Sequence, residues 1–121
     1  MKLRIKGNAI RYRLSKTDVA KIAAHGYLEE HTNFGSGVFV YALQVADISQ
    51  LSAEPGNNKI TMQVPAAFVQ HWQQNDVVGC DAHVPLDNGE TLYLLLEKDF
   101  VCLDETIEDQ SDNFDNPNKT C

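Results

Sequence analysis

The chain has 121 residues, of which 43% are hydrophobic and 22% are charged, and these proportions are those of one ordinary globular domain. They exclude a fibrous or wholly disordered chain, and no apolar run approaches the roughly 20 residues that a membrane-spanning helix requires. The formal net charge of −7 argues against nucleic acid as a partner, because the phosphate backbone repels an acidic surface.

Residues 2–14 contain two segments that alternate between polar and apolar residues, as half-buried strands do. Gly7 and Asn8 lie between the segments and are typical of a turn. Ser15 and Asp18 then form a variant of the capping box, which predicts a helix that ends shortly before Gly26.

Strands are predicted over residues 27–32 and 38–45, the second of which is rich in β-branched and aromatic residues. Residues 47–58 contain Ser, Pro, Gly and Asn, and this composition predicts a connector. The second half of the chain then follows the same order as the first. It comprises a strand at 59–64, a helix after Pro65, strand regions at 76–85 and 91–100, and a turn at 87–90.

The two halves also share residues at fixed separations, which indicates an internal repeat. At a separation of 50 residues, the matching pairs are Asn8/Asn58, Ile10/Ile60, Leu14/Val64 and Val19/Val69. At a separation of 52 residues, they are Gly37/Gly89, Tyr41/Tyr93, Leu43/Leu95 and Asp47/Asp99. We therefore predict an α+β, mostly β fold: a small barrel or cradle-loop-like sheet built from two βαββ repeats. The repeats occupy about 1–47 and 57–100 of a single domain at 1–103.

Charge is unevenly distributed along the chain. Seven of the ten basic residues lie in the first 21 positions, where Asp18 is the one acidic residue. The last 18 residues contain six acidic residues and one lysine. This separation predicts an acidic C-terminal tail at 104–121 that folds against the basic N-terminal strand, and Phe114 within the tail predicts that it docks.

Residues 6–15 resemble the DNA-binding half of MazE-type antitoxins, which share the swapped-hairpin barrel class with AbrB-type regulators. Gly7-Asn8, Arg13 and Leu14 match that pattern, whereas Ser15 replaces its usual proline. Residues 58–78 resemble the same pattern, with Gln63 where an arginine is expected. The resemblance implies a DNA-binding regulator or antitoxin.

The chain as a whole also resembles small uncharacterised bacterial proteins of a domain-of-unknown-function type. The resemblance rests on residues 97–103, the acidic segment at 108–114 and a final cysteine. It implies a bacterial origin and supplies no activity.

The strongest candidate site is a cluster of basic residues on the second strand and around it. Arg11 and Arg13 point the same way on an alternating strand, and Lys16 follows at the start of the helix. With Lys6 they form a candidate site for an anion or for nucleic acid, because guanidinium and ammonium groups bind phosphate and carboxylate oxygens.

No catalytic motif and no cofactor-binding motif occurs in the sequence. The four histidines are scattered, which favours surface positions, and Glu97 and Asp99 are interpreted as a solvated strand edge. Cys102 and Cys121 are weak candidates for a zinc site; a disulfide between them and free thiols are the alternatives.

These observations favour a non-enzymatic binding or interaction module with a protein partner of unknown identity and no cofactor. The alternative is a MazE-like or AbrB-like DNA-binding regulator. The start of the chain lacks the apolar region of a signal peptide, so we expect a cytoplasmic protein with no membrane partner, either monomer or homodimer.

Overall fold

A computed structural model describes residues 1–100 and 112–115 of the chain. Within them the elements follow in the order β1 (Lys2–Lys6), β2 (Ala9–Leu14), α1 (Lys16–His25), β3 (Tyr27–Asn33), β4 (Val38–Ala46), β5 (Ser52–Gly56), β6 (Lys59–Pro65), α2 (Ala66–Trp72), β7 (Gly79–Pro85) and β8 (Thr91–Lys98). Neither helix in this part of the chain is long and apolar enough to cross a membrane.

The eight strands form two four-stranded sheets that exchange hairpins between the halves of the chain. The first sheet has the order β1-β2-β8-β7 and the second the order β3-β4-β6-β5. Each sheet therefore combines one hairpin from each half, and its central strands, β2 with β8 or β4 with β6, run parallel. The prediction of a mostly β fold built from two repeat units is confirmed.

The connector predicted at 47–58 is wrong in its second part. Residues 52–56 form the strand β5, which pairs antiparallel with β6. Each repeat thus begins with a strand that precedes the predicted βαββ order. Pro55 made this segment look like a loop. Because β5 is an edge strand, it accommodates a proline, which cannot donate to a neighbouring strand.

The separation between equivalent residues changes along the repeat. Ile10 and Ile60 are equivalent residues of the two repeats. Ile10 lies opposite Leu94 of β8, and Ile60 lies opposite Tyr41 of β4. Leu94 is therefore the equivalent of Tyr41, and the separation between β4 and β8 is 53 residues instead of the predicted 52. The extra residue lies in the β7–β8 loop, which has five residues where the β3–β4 loop has four. The predicted matches Tyr41/Tyr93, Leu43/Leu95 and Asp47/Asp99 are therefore wrong.

A shift of one residue moves a side chain to the other face of a strand. Tyr41 accordingly points into the core, where its ring meets that of Tyr12 edge-on, with 6.0 Å between the centroids. Tyr93 instead lies on the outer face of the first sheet, where its ring stacks against His83 at 4.7 Å.

One apolar core lies between the sheets and beneath both helices. Tyr12 is fully buried, and its hydroxyl donates a hydrogen bond to the Ile60 carbonyl of the opposite sheet at 3.3 Å. Burial raises the pKa of this hydroxyl well above its usual value. The other side chains with no exposed surface include Leu14, Ile22, Leu43, Met62, Val64, Trp72, Leu94 and Leu96.

The helices begin in different ways. The capping box predicted for α1 is confirmed, since Ser15 and Asp18 exchange side-chain and backbone hydrogen bonds, and Gly26 ends the helix at φ 72°. By contrast, α2 follows Pro65 and has no side-chain cap.

Candidate functional site

The outer surface of the first sheet carries the basic residues of the N-terminal hairpin. Tyr12 and Leu14 point into the core, so Arg11 and Arg13 point outward, and Glu97 of β8 lies opposite Arg13. We call this surface the charged face; it comprises Lys2, Arg4, Lys6, Arg11, Arg13, Glu97 and Asp99.

One carboxylate serves both central arginines. The Glu97 Oε1 atom lies 3.6 Å from Nη1 of Arg11 and 3.5 Å from Nε of Arg13. These distances are long for charge-assisted hydrogen bonds, and each pair is worth about 0.5 kcal/mol on a half-exposed surface. The contacts therefore hold the guanidinium groups in place weakly.

Asp99 extends the acidic side of the same face. Its carboxylate lies 3.0 Å from Lys2 Nζ and 3.6 Å from Arg13 Nη2, and the residue is only 5% exposed. The Asp99 backbone amide also donates to the Leu14 carbonyl at 2.8 Å. The interpretation of Glu97 and Asp99 as a solvated edge is wrong, because β8 lies in the middle of the sheet beside the arginines of β2.

The basic residues retain unused hydrogen-bonding capacity. The Nε atoms of Arg11 and Arg13 are buried and have no hydrogen-bond partner within the described residues. Beside them, Arg4 and Lys6 are exposed and form no ion pair with any residue in this part of the chain. Arg4, Lys6 and Arg11 line a shallow pocket of about 160 Å³ whose apolar side includes Leu95.

Lys16 lies apart from the other three predicted site residues. It is exposed at the start of α1, where its backbone amide donates to the Asp112 carbonyl at 2.9 Å. The Asp112 carboxylate accepts from the Thr17 amide at 3.2 Å, and hydrogen bonds from the side chains of Thr17 and Ser15 lower the pKa of Asp112. Of the predicted tail, only residues 112–115 are described, and Asp112 contacts the helix that follows the basic strand.

Phe114 docks as predicted. Its backbone amide donates to the Asp99 carbonyl at 2.9 Å, and its ring meets Phe100 edge-on at 6.0 Å. Lys98 Nζ lies 4.8 Å from the centre of the Phe114 ring. This lysine is 3% exposed, and burial lowers its pKa, against the smaller opposing effect of Asp76.

Sequence reasoning did not identify Lys98 as a buried residue. The strand alternation does contain the signal, because Lys98 has the same parity as the core residues Leu94 and Leu96. A lysine that alternates with buried leucines on the same face of a strand is unusual, because lysine is rarely buried. Such a position is therefore a candidate functional residue.

The remaining candidate residues are the histidines and the cysteines. All four histidines are exposed, and no group of three or more His, Cys, Asp or Glu residues that could hold a metal ion occurs within residues 1–100 and 112–115. Cys102 and Cys121 lie outside the described residues. Cys80 is half-buried beside the core, and burial raises its thiol pKa to about 11, so it is not a reactive nucleophile at neutral pH.

A family of unknown function, DUF7009, matches residues 1–118, which is nearly the whole chain. The chain belongs to this family. The DUF7009 description carries no indication of an enzyme. No curated protein and no solved structure matches the chain.

Proposed function

We propose that this DUF7009 protein is a non-enzymatic binding module whose charged face receives an acidic segment of a partner protein. The observation that carries the proposal is the group of three basic residues, Arg4, Lys6 and Arg11, around the shallow pocket. Arg4 and Lys6 are exposed and have no ion-pair partner among the described residues, so they can pair with carboxylates of another chain.

The shallow pocket gives the partner a place to bind. A carboxylate from the partner that enters between Arg4 and Arg11 approaches two guanidinium groups, and its aliphatic stem lies against Leu95. Bidentate pairing with arginine provides both energy and direction.

Nucleic acid fits the same face less well. Glu97 lies between Arg11 and Arg13, and Asp81 lies on the neighbouring strand, so a phosphate backbone crossing the sheet meets both carboxylates. A single carboxylate in the shallow pocket avoids them, because neither Glu97 nor Asp81 lines that pocket. The exchange of hairpins between the halves supports the resemblance to swapped-hairpin proteins. The resemblance leads us to expect a basic residue in each half, but this chain has Arg13 in the first half and Gln63 in the second, so it lacks the symmetric pair that a DNA reader would use.

Fluorescence anisotropy with a labelled poly-glutamate peptide and a labelled random DNA duplex tests the proposal. We expect the peptide to bind, and Arg4→Gln to weaken binding about threefold, which is the worth of one exposed ion pair. Lys21→Gln is the matched control, because it removes one exposed charge from α1, away from the charged face.

Equal peptide binding by Arg4→Gln and Lys21→Gln would contradict the proposal. The basic residues of the edge strand β1 would then be explained by protection of that strand against aggregation. Tighter binding of the duplex than of the peptide at physiological salt, with loss in Arg4→Gln, would replace the protein partner with DNA.

A further inference from the structure

A second and larger cavity lies at the C-terminal end of α2. Its volume is about 710 Å³, which falls within the range of small-molecule sites. Its wall includes the buried Lys98 and the aromatic pair Phe100 and Phe114. Three exposed charged residues, Lys16, Asp76 and Asp115, also line it. The cavity therefore combines a buried cation with two aromatic rings.

The ammonium group of Lys98 has more donors than acceptors. It donates to the Asn75 carbonyl at 2.7 Å, and the Trp72 and Phe114 rings lie 5.8 and 4.8 Å from Nζ. An ammonium has three N–H donors, and no carboxylate of the described residues lies within ion-pair distance of this one. Buried charges in proteins are normally paired, because the loss of hydration is costly.

The repeat shows that the fold does not need a charge at this position. The residue equivalent to Lys98 is Val45, and the two backbone amides make the same contact, to the carbonyl of Val78 or of Gly26 at 2.9 Å. The cavity beside Val45 is lined chiefly by aliphatic side chains, among them Ile22 and Val69. The fold therefore accepts an aliphatic residue at this position, and we look for a role of Lys98 other than folding.

We infer that the cavity beside Lys98 binds a small organic monocarboxylate, with the carboxylate on the Lys98 ammonium and the apolar part against Phe100 and Phe114. A carboxylate supplies the acceptors and the negative charge that the buried ammonium lacks. Lys16 and Lys98 are balanced by Asp76 and Asp115, so the lining has no net positive charge to hold the second negative charge of a phosphate, which makes phosphate a poorer ligand than a monocarboxylate. This site is separate from the charged face and does not depend on its role.

Trp72 provides a direct signal for binding, because it is the single tryptophan of the chain and lies against Lys98. We would titrate the full-length protein with phenylacetate and with phenylacetamide, which has the same shape without the charge, and follow tryptophan fluorescence. Saturable binding of phenylacetate is expected, with phenylacetamide at least about tenfold weaker, since the amide carbonyl still accepts a hydrogen bond from Lys98 but carries no negative charge to pair with the ammonium.

The variant Lys98→Met keeps the length of the side chain and removes its charge. We expect it to bind phenylacetate about tenfold more weakly and phenylacetamide only about threefold more weakly, because the amide loses a hydrogen bond but no charge pairing. Lys59→Met is the matched control, because Lys59 also lies over an aromatic ring, that of Tyr27 at 5.3 Å, but on the second sheet. It should leave both affinities unchanged.

Three results would each overturn the inference: no saturable change with phenylacetate, equal affinities for the acid and the amide, or undiminished phenylacetate binding by folded Lys98→Met. Tighter binding of inorganic phosphate than of phenylacetate would overturn the choice of a monocarboxylate. If far-UV circular dichroism shows Lys98→Met to be unfolded, the acid and amide pair on the unaltered protein decides the matter alone.

Discussion

Several charged residues of the first sheet have neutral equivalents in the second sheet, although Arg4 corresponds to Glu54. Arg13 and Glu97 of the first sheet correspond to Gln63 and Gln44, and these two glutamines also lie opposite each other on the outer face of their sheet. Inside the fold, Lys98 corresponds to Val45. Both halves build the same hairpins and helix, so the architecture is satisfied without these charges. We propose that these differences mark residues with a role in binding.

Gly79 of the second repeat corresponds to Tyr27 of the first. We expect a substitution of Gly79 to have the largest effect on stability. A Cβ atom at Gly79 would lie 2.1 Å from the Leu96 carbonyl oxygen, whereas the first repeat accommodates a tyrosine. Gly79→Ala is expected to lower the free energy of unfolding by about 3 kcal/mol, because the backbone of β7 must move away from β8. Urea denaturation followed by circular dichroism measures the change.

The control for that prediction is Gly37→Ala, since a Cβ atom at Gly37 meets nothing within 4 Å. It should change stability by less than about 0.5 kcal/mol. Equal effects of the two substitutions would mean that β7 and β8 do not approach each other as closely as described.

Asp99 corresponds to Ala46 of the first repeat and tests the buried end of the charged face. Asp99→Asn removes the negative charge facing Lys2 and Arg13, and we expect a loss of about 2 kcal/mol in urea unfolding. Asp87→Asn, in the exposed β7–β8 loop, is the neutral comparison. A loss no greater than that of Asp87→Asn would show that Asp99 is a solvated carboxylate.

Lys98→Met makes the two repeats more alike by giving both an apolar residue at this position. Without ligand, it should raise the free energy of unfolding by about 1 kcal/mol, because a buried charge without a carboxylate partner is removed. The same urea titration measures this change. A marked decrease would indicate that the lysine stabilises the fold through Asn75 and Phe114.

Glu97→Gln likewise reproduces the first repeat, where Gln44 stands at the same position. Loss of the shared carboxylate should lower stability by about 0.5 kcal/mol and raise the affinity for poly-glutamate about threefold, since Arg11 and Arg13 are released for the partner. Anisotropy under the conditions used for Arg4→Gln checks it. Weaker peptide binding would show that Glu97 positions the arginines for the partner.

The contact between Asp112 and the start of α1 is sensitive to acid. Asp112 binds the start of α1, and its pKa is lower in the folded chain than the usual 3.8, so its contribution to stability is present at neutral pH and is lost as the pH falls below 3.8. The stability difference between the unaltered protein and Asp112→Asn should therefore shrink only below that pH. A difference that disappears between neutral pH and pH 3.8 would contradict the contact with Thr17.

Local patterns in the sequence predicted most elements because their causes are local. The capping box needs only Ser15 and Asp18, three residues apart, and the helix end needs only Gly26. The strand β5 was missed because Pro55 is a loop signal unless one knows that the strand lies at an edge. The site was predicted in part: Arg11 and Arg13 were identified, while their neighbours Glu97 and Asp99 were assigned to solvent.

The sequence by itself determined the mostly β composition, the repeat and the outward direction of the basic residues on β2, since each depends on periodicity over a few residues. Only the tertiary structure decided which hairpins share a sheet. That pairing places Glu97 beside Arg13, 84 positions away, and one additional loop residue puts Lys98 in register with Val45. Contacts between distant segments depend on the packing of the whole core, and no local pattern of residues contains them.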